Sequence, residues 1–205
     1  MRRQGFTVVE VMVALGVMTI SAMALFGMQA QATRANVRAR DMTVASQIAQ
    51  NVLERMKIDG LAWNTIGDPE DVLASTNMLG KIVGSTLGSF TTLPERLESR
   101  VGTSAVWSNG FDMYGLDVQI SGADAASLAN IRFCASQRLA WVYDNPARAI
   151  RADVRVWWSK EAPSRSIIAD FPQCSDNDVL LQPNGTRYND YHSVYMSTVI
   201  RPHPK

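Results

Sequence analysis

Apolar residues follow three patterns along this chain. From Phe6 to Met28 nearly every position is apolar, and Glu10 is the only formally charged side chain. At about 1.5 Å rise per residue this run makes a helix of about 34 Å, enough to cross a bilayer core of about 30 Å. Beyond Met28, Gln, Arg, Asn and Thr enter, and the apolar positions thin to Val37, Val44, Ile48, Val52 and Met56, at spacings of seven and four. That is one stripe on a polar helix. No proline precedes Pro69, so one helix is predicted from Phe6 to about Lys57, with Asp59-Gly60 as its stop. Gly16 and Gly27 are tolerated inside it at about 1 kcal/mol each relative to Ala. The first half is apolar all round and suits lipid or a fibre core. The second half has a stripe to lay on a sheet.

The third pattern is alternation. Residues 60–95 come before it and carry little signal: Asp68-Pro69-Glu70-Asp71 begins a short predicted helix to about Leu79, and Gly80, Gly84 and Gly88 read as a loop. From about Leu97 strands are predicted. One lies between Arg96 and Trp107. In the next, Tyr114, Leu116, Val118 and Ile120 alternate with Gly115, Asp117 and Gln119. The run Asn130–Tyr143 and the alternation of Val154, Val156 and Trp158 with Asp153, Arg155 and Trp157 form a hairpin around Asp144-Asn145-Pro146. Asn184-Gly185 marks a turn, and Ser193–Ile200 is the last strand. A helix followed by strands is an α+β pattern, and an antiparallel sheet offers one face to the helical stripe. Trp157 and Trp158 should point to opposite faces, which leaves one of them exposed and available to a neighbouring subunit.

Composition narrows the function. The chain has 205 residues and a formal net charge of +1, which gives no bulk electrostatic case for nucleic acid. No Gly-x-Ser-x-Gly, Walker A or dinucleotide glycine fingerprint occurs. The histidines, His192 and His203, lie near the C-terminus and read as surface residues. With Cys134 and Cys174 they lack the short paired spacings of structural zinc. Asp176, Asp178 and Asp190, with Asn177 and Asn189, carry oxygen ligands suited to calcium but no EF-hand pattern. They read as a solvated acidic loop. No catalytic residue, metal site or cofactor is expected. Cys134 and Cys174 fit either two buried thiols or one bridge in an oxidising compartment. A bridge closing about forty residues would stabilise by about 4 kcal/mol in the chain-entropy model.

Glu10 needs a reason to exist. A carboxylate at a bilayer centre costs about 2.5–3.5 kcal/mol on insertion scales. Length alone would also suit a plain single-pass anchor or a long buried core helix. Ala22-Met23-Ala24 and Ala30-Gln31-Ala32 fit the small-x-small pattern of a cleaved secretory signal, but nothing in a disposable signal requires Glu10.

The basic head Arg2-Arg3, then Gly5-Phe6-Thr7-Val8-Val9-Glu10 and an immediate apolar helix, resemble the signal of type IV pilins and type II secretion pseudopilins. The resemblance implies cleavage by a prepilin peptidase between Gly5 and Phe6, N-methylation of Phe6 and retention of Glu10. In a stack of subunits, Glu10 would meet a neighbour's Phe6 amine and so set register. It also implies the pilin fold, a long N-terminal helix packed on an antiparallel sheet. The basic residues flanking the apolar run do not decide orientation, since Arg34, Arg38 and Arg40 follow it. The resemblance places the N-terminus in the cytoplasm and the rest in the periplasm, and that export favours the Cys134–Cys174 bridge.

Val11-Met12-Val13-Ala14-Leu15, the segment Ala49–Met56 and the absence of a kinking proline resemble minor pilins of the PilV type, related to the I-type minor pseudopilins. This likeness covers the first 57 residues well and the rest only in general architecture. It implies a leader at 1–5, a membrane or fibre-core half-helix at 6–28, an amphipathic half at 29–58 and a globular domain at 59–205. It further implies a subunit at the pilus tip that helps prime assembly. The implied partners are other minor pilins, the major pilin, a tip adhesin, the prepilin peptidase and the inner-membrane assembly platform. A secretion pseudopilin and a membrane-anchored binding domain that never polymerises are the rival readings.

Overall fold

In a computed structural model of the chain the structure describes residues 7–63, 76, 78–82, 91–92, 105–121, 130–143, 149–160, 174 and 190–202. The chain divides into two compact units, Met1–Asp41 and Met42–Lys205. One helix, α1 (Val8–Ala62), contributes to both. In the first unit the described residues beyond Thr7 are all helical.

In the second unit α1 lies against an antiparallel sheet. Ala45, Ile48, Ala49, Val52, Leu53, Met56 and Gly60 are its buried positions, three and four residues apart. The helix passes the Asp59-Gly60 stop expected from sequence. Gly60 is there for close packing: a Cβ would come within 2.6 Å of Ile200 Cγ2. The last turn closes when the Trp63 amide donates to the Gly60 carbonyl. The Asp59 carboxylate has a different task. It accepts the amides of Met78 and Leu79, at 2.8 and 3.0 Å, and so starts a 3-10 turn at Leu79–Ile82. Of the short helix expected to end near Leu79, most lies outside the described residues.

The strands are β1 (Thr91–Thr92), β2 (Ala105–Phe111), β3 (Asp117–Ser121), β4 (Phe133–Tyr143), β5 (Ala149–Ser159) and β6 (Tyr191–Ile200). Their order is β3-β2-β4-β5-β6, all antiparallel, with β1 beside β4. The predicted hairpin is β4–β5, paired from Cys134 with Trp157 to Tyr143 with Ala149. The predicted strand at Tyr114–Ile120 starts later. The Asp112 carboxylate accepts the amides of Tyr114 and Leu116, and Gly115 takes a φ of +80°. This makes a tight β2–β3 turn that seats Gly115 against Val44 and Ile48.

Alternation along β5 assigns its faces. Ile150, Ala152, Val154, Val156 and Trp158 join the helical stripe, Phe133, Ala135 and Leu139 in the main core. Trp157 turns the other way, into a second cluster with Ile131, Cys134, Cys174 and Tyr191. The two tryptophans do occupy opposite faces, but neither is exposed: Trp157 is 0% and Trp158 3% accessible. The expectation that one is free for a neighbour is therefore overturned. A disulfide between Cys134 and Cys174 holds the covering residue against Trp157. His192 is not a plain surface residue either, since its ring lies 5.5 Å from that of Trp158.

Candidate functional site: the N-terminal helix

The start of α1 is capped. The Thr7 hydroxyl accepts the Glu10 amide at 3.3 Å, and the Thr7 carbonyl accepts it at 3.1 Å. Thr7 is thus the N-cap and Glu10 the third helical residue, the arrangement of a Thr-x-x-Glu capping box. Glu10 also lies in the first turn, where the helix dipole favours a negative charge. In the sequence Glu10 stands out by its charge alone, which leaves the capping role of Thr7 unnoticed. The signal was present in the spacing of the two. Gly5 and Phe6 lie outside the described residues.

Past this cap the helix presents an exposed apolar surface. Met12 and Met23 are 68% and 74% accessible, and Val8, Val9, Val13, Leu15, Val17, Met18, Ile20, Leu25, Phe26 and Met28 are likewise exposed. The helix is long and apolar enough to cross a membrane. Its hydroxyls are already satisfied. Thr19 donates to the Gly16 carbonyl and Ser21 to the Val17 carbonyl, at 2.8 and 2.9 Å. Such back-bonding lets Thr and Ser enter a water-free medium without leaving a donor unpaired. Glu10 is then the one side chain of the apolar run whose charge calls for an outside partner.

The folded unit offers structural chemistry. The Arg138 Nε and Nη2 donate to Asp153 Oδ2 at 3.0 and 2.8 Å, while Arg151 Nε donates to Asp153 Oδ1 at 2.8 Å. Arg155, buried next along β5, stacks its guanidinium 5.5 Å from the Trp157 ring and 6.0 Å from that of Tyr195. Arg55 of α1 pairs with Asp117 of β3 at 2.9 Å. Arg138–Asp153, Arg155–Tyr195 and Arg55–Asp117 tie one element to another, while Arg151–Asp153 and Arg155–Trp157 lie within β5. Among the described residues no group of three His, Cys, Asp or Glu could hold a metal ion. Asp190 is described, whereas Asp176, Asn177, Asp178, Asn189 and His203 lie outside the described residues.

Residues 1–26 match the prokaryotic N-terminal methylation motif. The match covers the cap and the apolar run of α1 as far as Phe26 and none of the second unit. Searches of curated proteins and of solved structures gave no match. The α+β arrangement of a long N-terminal apolar helix and an antiparallel sheet is consistent with the pilin fold.

Proposed function

We propose that this chain is a minor pilin: a structural subunit of a type IV pilus, processed by prepilin peptidase and located at the tip, where it helps prime assembly. The observation that supports the reading is the methylation motif over residues 1–26, which runs into a helix whose apolar residues are exposed. Such a surface requires lipid before assembly and neighbouring helices afterwards. The proposed cut lies between Gly5 and Phe6, with methylation on the Phe6 amine. The proposed segments are a leader at 1–5, an anchor at 6–28, an amphipathic stretch at 29–58 and a periplasmic domain at 59–205. Partners are other minor pilins, the major pilin, a tip adhesin, the prepilin peptidase and the inner-membrane platform.

Glu10 in this reading is the register device. Cleavage creates a charged amine at Phe6, at the edge of an apolar segment. Two buried charges that meet satisfy each other, and either one left alone is costly. Glu10→Ala should leave cleavage intact and lower incorporation into the filament. Normal incorporation would overturn this role.

The whole reading is tested by mass spectrometry of purified pili. N-methylated Phe6 as first residue, at low abundance relative to the major pilin, is the expected result. A mature chain beginning at any other residue overturns it. Deletion that abolishes protein secretion while leaving pili intact would move the chain to a secretion pseudopilus.

A further inference from the structure

We infer that Arg34 and Arg38 form a docking site for the phosphates of anionic phospholipid, in the leaflet that the C-terminal end of the apolar segment meets. Both lie in α1 and in the same compact unit as that segment. They are one turn apart and share a face. Helical rise puts their Cα atoms about 9 and about 15 Å beyond Met28. The headgroup layer occupies about 5–8 Å outside the hydrocarbon core. Side chains on a helix lean toward its N-terminus, here back toward the bilayer. The Arg34 guanidinium therefore falls in the headgroup layer, and Arg38 reaches toward it from one turn above.

The surrounding chemistry leaves these charges available to lipid. Between Met28 and Arg34 stand Gln29, Ala30, Gln31, Ala32 and Thr33, all uncharged. The Thr33 hydroxyl is engaged by the Gln29 carbonyl at 2.9 Å. No carboxylate among the described residues pairs with Arg34 or Arg38. A planar guanidinium matches two oxygens of a phosphate, which an ammonium does not. The site fixes how deeply the helix sits in the bilayer, and it requires neither cleavage nor assembly.

The test uses the full-length chain in phosphatidylcholine vesicles, with spin-labelled phosphatidylglycerol or spin-labelled phosphatidylcholine as probe lipid. The motionally restricted fraction gives the preference. The wild type should prefer phosphatidylglycerol, less so at high salt, and the R34Q/R38Q double variant should lose that preference by about fivefold for each arginine removed. Gln nearly equals Arg in helix propensity, so the helix persists, which circular dichroism checks. Arg151→Gln, on the sheet, should change nothing. A wild type without preference, a double variant that keeps it, or an Arg151→Gln chain that loses it overturns the site. N-terminal sequencing judges the pilin reading separately, so either can fail while the other stands.

Discussion

Thr7 and Gly110 show how single residues set local structure here. Thr7→Ala removes the hydroxyl that caps the Glu10 amide and should cost about 1 kcal/mol of stability at the helix start. Amide hydrogen exchange at Glu10 should quicken by about fivefold, and Thr7→Ser should restore it. Gly110 lies on β2, where a Cβ would meet three side-chain atoms of Ile131 at 2.6–2.8 Å. Ile131 is buried and β-branched, so it has little room to turn aside. Gly110→Ala should destabilise by about 1–3 kcal/mol in chemical denaturation. The cap was legible in the sequence as Thr-x-x-Glu. The glycines were less so. Gly60 looks in sequence like a helix stop, because a residue chosen for close approach and one chosen for a left-handed terminus are the same letter. Only the side chain of Ile200, distant in sequence, tells them apart.

At the scale of elements, periodicity carried most of what can be read. The stripe Ile48–Val52–Met56 is the buried face of α1, joined by Ala45, Ala49 and Leu53. Val37, placed on the same stripe by spacing, is exposed. The alternation in β5 divides its residues correctly between two faces. It carries no information on whether each face is covered, and Trp157 is buried by contacts with Cys134, Cys174 and Tyr191 that no local pattern encodes. Trp157→Ala and Trp158→Ala should therefore both destabilise the fold, each by about 3–5 kcal/mol, rather than one affecting folding and the other assembly. Denaturant titrations of the two variants measure this directly. A Trp157→Ala chain as stable as wild type would place that ring outside the core.

For the molecule as a whole, two covalent or medium-dependent features matter most. The Cys134–Cys174 disulfide joins positions 40 residues apart and closes the cluster around Trp157. Cys174→Ser should lower stability by about 2–5 kcal/mol, and reduction of the wild type should shift the tryptophan emission to longer wavelength. Its partner was legible from the count of two cysteines once export was inferred, whereas its role beneath a tryptophan was not. The exposed apolar run of α1 makes a second claim. The full chain should stay with membranes through alkaline carbonate washing and leave them only in detergent, as judged by fractionation.

The hydroxyls of Thr19 and Ser21, tied to their own backbone, have a consequence for how the helix travels. Fatty acyl chains and a bed of neighbouring valines and methionines are nearly interchangeable solvents for a rod whose hydroxyls are already engaged. Moving it from one to the other changes little for almost every atom it carries. Discrimination between the two settings is then concentrated in a single carboxylate near one end, so one substitution there can decide where the whole rod comes to rest.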